Sequence, residues 1–152
     1  MSGLVLNLRP YEKVLIGGVV LQNGQRRGQL RVLDEKASVL RLSEALHPDA
    51  VKTPLTRAYY AAQLLVSGDA PEGEGHPILQ RLLADAVGGF EGFSFASTLQ
   101  EAAEAAGAGQ YCRVMRLLKP LLPKEAAILS RSRGDRQDRL PEHEPEMVSL
   151  TG

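Results

Sequence analysis

Apolar and polar positions alternate along the first third of the chain and recur at three- and four-residue spacing along most of the rest. Leu4, Leu6 and Leu8 alternate with Val5, Asn7 and Arg9, the period of a strand with one buried face, and Pro10 then removes a ladder donor. Short runs at 13–16 and 19–22 flank Gly17-Gly18, a pair that permits a tight turn or a bulge. Asn23-Gly24 suits a type I′ turn, in which both central residues need positive φ, so a hairpin to a return strand at 28–33 is expected. A polar turn at 34–36 leads to a fifth run at 38–42, and five short strands predict a small antiparallel β unit, barrel-like or curled.

The period changes after His47-Pro48. Thr53 is an N-cap residue before a proline at the first helical position, and Leu55, Ala58, Tyr59, Ala62, Leu65 and Val66 follow at helical spacing up to Gly68. A Gly-, Pro- and Glu-containing loop is expected at 68–75. A second helix follows on Ile78, Leu79, Leu82, Leu83, Ala86 and Val87, and a third from an N-cap at Ser94 to Ala106. A fourth runs from about Gln110 to Leu118; Pro120 and Pro123 end or kink it, with a further helical turn or two over 124–130. From residue 131 the chain is charged and proline-containing, which predicts a disordered tail. The expected organisation is therefore α+β: a β unit at 1–48, a helical region of about four helices at 49–130, and a flexible charged tail at 131–152. A β unit of this size is marginal alone and leans on the helices or on a second copy of itself, a homodimer.

Composition narrows the class. The 152 residues are 43% hydrophobic and 24% charged, as in a globular domain. No apolar run approaches a membrane span, and the first residues lack the regions of a signal peptide. With one cysteine, Cys112, no internal disulfide forms, so a reducing cytoplasmic location without membrane contact is expected. Catalysis finds little support: His47, His76 and His143 stand apart from any nucleophile pattern, and no metal-ligand or phosphate-loop motif appears. Neither an enzyme, a metal site nor a cofactor is expected.

The 18 basic and 18 acidic residues cancel, yet their placement is uneven. Residues 1–52 carry eight basic groups against five acidic ones, a net charge of +3, which the remaining residues offset. On a strand at 27–33, Arg27 and Arg31 share a face about 13 Å apart with Gln29 between them, a spacing suited to a nucleic-acid backbone. Arg9 and Lys13 flank it, and Arg26 and Arg41 complete the candidate RNA contacts. Polar faces of small sheets also carry arginines merely for solvation. Tyr11 is the only aromatic in the strand region, too few for extended base stacking.

Leu6-Asn7-Leu8-Arg9-Pro10-Tyr11-Glu12-Lys13, then Ile16-Gly17-Gly18-Val19-Val20, and later Thr53-Pro54-Leu55 leading to Tyr59-Tyr60 and Gln63-Leu64-Leu65, resemble the FlbT family of flagellin regulators, over about the first 68 residues. The resemblance implies a post-transcriptional regulator that binds the 5′ untranslated leader of flagellin messenger RNA and limits its translation or stability, acting with or against the small protein FlaF. An adaptor for FlaF or flagellin is the alternative it implies. The segment at 12–20 is also similar, more weakly, to the carbon storage regulator family of small RNA-binding β proteins. Physically, the matched residues are structural: Pro10, Gly17, Gly18 and Pro54 fix turns and a helix start, Leu55 and Tyr59 pack, and Glu12 belongs to the shared pattern.

Overall fold

The computed structural model describes residues 3–34 and 36–139, and their fold is α+β. Strands β1 (Leu4–Leu8), β2 (Lys13–Ile16), β3 (Val19–Gln22), β4 (Gly28–Val32) and β5 (Val39–Arg41) divide between two small antiparallel sheets, one pairing β1 with β4 and one ordered β3-β2-β5. The hairpin expected at Asn23-Gly24 does not form. Instead β2 and β3 pair around Gly17-Gly18, whose φ angles of 57° and 85° are both positive, as a two-residue hairpin turn requires. Asn23 is engaged otherwise: its Nδ2 donates to the carbonyls of Arg9 at 2.8 Å and Arg26 at 2.9 Å, and the chain turns away so that β4 joins β1.

Among the described residues five α-helices follow: α1 (Pro54–Ser67), α2 (Glu72–Gly89), α3 (Ala96–Gly107), α4 (Tyr111–Leu118) and α5 (Leu122–Arg139). Three expectations are corrected. The glycine-rich stretch expected as a loop at 68–75 already belongs to α2 from Glu72; Glu72 and Glu74 face the positive end of its dipole, and Gly75 packs where a Cβ would lie 2.7 Å from Leu65 Cδ2. Ser94 does not cap α3, which starts after Phe95 without a side-chain cap. A fifth helix carries regular backbone to Arg139, into the stretch expected as tail, while residues 140–152 lie outside the described ones.

The described chain divides into two compact units, one running up to Lys119 and one starting at Pro120. Within the first, α1 packs against α2, α4 and β5, and α3 packs against α2 and α4. Leu55, Ala58, Tyr59, Ala62 and Val66 of α1 meet Leu79 and Leu83 of α2, Leu99 and Ala102 of α3, and Val114 and Leu118 of α4 in the buried core. Of the strands, β5 is the one packed on α1. Tyr59 Oη donates to the Glu44 carbonyl at 2.8 Å, and one turn later Gln63 pairs with both backbone groups of Leu46, at 2.6 and 3.1 Å.

A reciprocal cap starts α1: Thr53 Oγ1 accepts the Thr56 N–H at 3.2 Å, and Thr56 Oγ1 accepts the Thr53 N–H at 2.8 Å. Thr53→Ala removes the first of these bonds and is expected to cost about 1 kcal/mol. That corresponds to a fall of about 2–4 °C in the thermal midpoint, measurable by circular dichroism. β3 is a contrasting element. It is the edge of its sheet, all four of its residues are exposed, and Val20 at the centre is 57% exposed.

Candidate nucleic-acid interface

The β1–β4 register decides which basic residues share a face. Val5 opposes Arg31, Asn7 opposes Gln29, and Leu8 opposes Gly28, so Arg31, Gln29 and Asn7 lie on one side of the ribbon and Leu6 and Leu30 on the other. The ladder ends at Leu8 and Gly28, and Arg9 and Arg27 are the residues next along the chain at that end, outside the strands. Burial of Leu6, whose neighbours Val5 and Asn7 are exposed, fixes this parity. Gln29 Nε2 donates to Asn7 Oδ1 at 3.0 Å, a cross-strand amide pair on the face that carries Arg31.

Arg9, Lys13, Arg26, Arg27 and Arg31 are exposed, and among the described residues none of their side chains makes a hydrogen bond or ion pair. Arg26 joins the Arg9–Arg27 end through Asn23, whose one amide nitrogen holds the carbonyls of both Arg9 and Arg26. Lys13 stands on the other sheet, opposite Gln22 in the β2–β3 pair. Arg41 is a different case: its Nη1 lies 2.5 Å from Glu12 Oε2 and its Nη2 donates to the Asn7 carbonyl at 3.1 Å. That guanidinium is committed within the protein, which leaves Arg9, Arg26, Arg27 and Arg31 as the exposed cations on or next to the β1–β4 pair.

Glu12 organises the corner between β1 and β2. Its side chain is only 7% exposed, and its other oxygen accepts the Arg9 N–H at 2.9 Å. The backbone bond from Arg9 and then the Arg41 guanidinium hold its carboxyl below the ordinary carboxylate range. The turn it braces closes with the Glu12 N–H donating to the Arg9 carbonyl at 3.1 Å, with Pro10 at the second position and Tyr11, φ 60°, at the third. A type II turn requires that positive φ, and glycine or asparagine usually supplies it. Tyr11 is the only non-glycine residue with positive φ among those described.

Sequence reasoning missed the roles of Glu12, Asn23 and Tyr11. Pro10 signalled a turn, but the paired partners Arg41 and Asn23 are distant in sequence and only the fold brings them in. Elsewhere, Cys112 is half-buried with Sγ 3.6 Å from the Val39 carbonyl, and exposed His47 caps a short turn through the Asp49 N–H. His76 lies in α2 rather than a loop; its Nδ1 is 2.7 Å from Tyr111 Oη, which donates to Glu72 at 2.9 Å. Burial first, then the Glu72 bond, raises the Tyr111 phenol to about 12. These groups tie α2 to α4. No helix among the described residues is long and apolar enough to cross a membrane.

Residues 4–129 match the family described as Flagellar protein FlbT. The chain is 47% identical over 62 residues to a protein named flagellum biosynthesis repressor protein FlbT from Caulobacter vibrioides, an overlap covering 41% of this chain and 43% of that one. It is 28% identical over 130 residues to a probable flagellum biosynthesis repressor protein FlbT from Rhodopseudomonas palustris, covering 84% and 98%. A similarly named protein from Brucella anthropi is 26% identical over 124 residues, covering 82% and 80%. The chain thus spans less than half the length of the Caulobacter vibrioides relative it matches. No solved structure matches.

Proposed function

We propose that this chain, which belongs to the FlbT family of flagellar proteins, represses flagellum synthesis by binding the 5′ untranslated leader of flagellin messenger RNA through the β1–β4 face. The observation that supports the RNA reading is the placement of exposed cations about this ribbon: Arg31 lies with Asn7 and Gln29 on one face, and exposed Arg9, Arg26 and Arg27 lie along the chain at its Leu8–Gly28 end, none with a side-chain hydrogen bond or ion pair among the described residues. The names of the relatives support repression of flagellum synthesis, and the leader as target comes from the motif resemblance. Binding would occur in the cytoplasm, without catalysis or a cofactor, and an occupied leader would limit translation or message lifetime.

Recognition of this kind joins backbone positioning to a smaller selective element. Guanidinium groups neutralise phosphates irrespective of sequence, while the Asn7–Gln29 amide pair on the face that carries Arg31 offers donors and acceptors. A net charge of zero keeps the rest of the chain from coating RNA at large. The test is a binding titration of a flagellin leader transcript beside an unrelated transcript of equal length at about 100 mM salt. Tighter binding of the leader is expected; no binding to either transcript at low salt would reject direct RNA recognition.

A second reading is favoured by β3, whose exposed Val19, Val20 and Leu21 lie along an unpaired sheet edge without a charged residue to protect it. A protein that adds a strand there, flagellin or FlaF, would make this chain an adaptor. Co-purification with and without ribonuclease separates the readings: partners lost on digestion support RNA, and flagellin retained after digestion supports the adaptor.

A further inference from the structure

Tyr11 combines three features that a purely structural turn residue does not need together. Its φ of 60° places a bulky side chain where glycine would sit without steric cost, and such strain persists only where the surroundings over-determine it. Those surroundings are present: the Tyr11 N–H donates to the Gly24 carbonyl at 2.8 Å, its carbonyl accepts from Gln22 Nε2 at 3.2 Å, and Glu12 closes the turn. The ring itself contributes nothing to the core. It is 59% exposed, no other ring packs on it among the described residues, and its hydroxyl makes no hydrogen bond there.

The ring's position gives that exposure a use. The bond to Gly24 ties Tyr11 to the segment that carries Arg26 and Arg27, and Arg9 lies two residues before it. An exposed aromatic ring on a turn whose backbone is pinned, with three exposed cations in the segments joined at that turn, offers the pairing that single-stranded nucleic acid requires, one group stacking on a base while the others neutralise phosphates. We infer that Tyr11 is a base-stacking residue and that the RNA bound by this face is single-stranded at the Arg9–Glu12 turn, with one unstacked base lying on the ring. The inference rests on the RNA reading of the β1–β4 face. A paired A-form segment would hide its bases from the ring, so unpaired RNA is the preferred ligand.

The experiment titrates fluorescein-labelled single-stranded leader RNA, at several salt concentrations, into the full chain as wild type, Tyr11→Gly and Tyr11→Phe, with thermal melts of each. Tyr11→Gly is expected to weaken binding about tenfold or more, as loss of one stacked base does. Its salt slope should match wild type, because no phosphate contact is removed. Its melting midpoint should stand at or above wild type, since glycine accepts the positive φ, whereas a merely structural tyrosine would show no such division between stability and affinity. Tyr11→Phe keeps the stacking face and should stay within about twofold of wild type. If wild type binds with a salt-dependent constant and Tyr11→Gly binds equally well, or if its slope flattens, the stacking role is overturned while the basic face stands. If wild type binds no RNA, both fall.

Discussion

Glu12→Ala is expected to lower the thermal midpoint at neutral pH by about 5–10 °C, a loss of about 2–3 kcal/mol. The substitution leaves the Arg41 guanidinium, whose side chain is 26% exposed, without its counter-charge, and removes the acceptor of the Arg9 N–H. Breaking a fully buried ion pair costs about 3–5 kcal/mol, and the partial access of water to Arg41 sets the lower figure here. The measurement is a melt followed at the far-ultraviolet signal. A midpoint within 1–2 °C of wild type, roughly what a neutral surface change produces, would show that the corner is not braced by this carboxylate.

The same residue gives the fold an acid limit. Because the Glu12 carboxyl is held below its ordinary value of 4.5, its contribution is fully present above that value and is lost as pH falls through the depressed folded-state value. Wild type and Glu12→Gln should therefore differ in stability at pH 7 and converge as the solution is acidified through the depressed folded-state value. Denaturant titrations at a series of pH values give that difference directly.

The second large effect concerns binding. Arg9→Ala, Arg27→Ala and Arg31→Ala combined are expected to weaken leader binding by about a hundredfold or more near 100 mM salt, with little change in stability. All three side chains are exposed and make no hydrogen bond among the described residues, so the fold loses little when they are shortened. Arg41→Ala differs in kind: it should lose stability through Glu12 before it loses any RNA contact. Comparing the two variants separates a binding cation from a structural one.

Much of the fold was legible because its signals are local. The alternation of Leu4, Leu6 and Leu8, the Thr53-Pro54 helix start and the stripe from Leu55 to Val66 each describe one element and need no distant partner. The strand pairing was less legible. Asn23-Gly24 and Gly17-Gly18 were rival turn signals four residues of strand apart, and the decision fell to long-range bonds from Asn23 to Arg9 and from Tyr11 to Gly24. Gly73 and Gly75 misled in the same way. Low helix propensity predicted a loop, but close packing of Gly75 on Leu65 and two acidic residues at the helix start outweigh it.

For the candidate interface, strand parity placed Arg31 on the polar face, but the strand starts at Gly28, so Arg27 stands just outside it and parity alone does not place its side chain beside Arg31. Arg41 shows where charge counting fails. In sequence it is one more basic residue, and only its approach to Glu12, twenty-nine positions away, shows that its charge is already used. Tyr11 was visible as the one aromatic of the β region, but its strained backbone belongs to the three-dimensional turn.

The central claim, that the β1–β4 face binds leader RNA through Arg31 and the arginines at its end, is tested most directly by the salt dependence of binding for wild type and the Arg9/Arg27/Arg31→Ala variant. Each phosphate contact on single-stranded RNA contributes about 0.7 to the slope of log affinity against log salt, so loss of three should reduce the slope by about 2. A wild-type slope retained in the variant would contradict the claim.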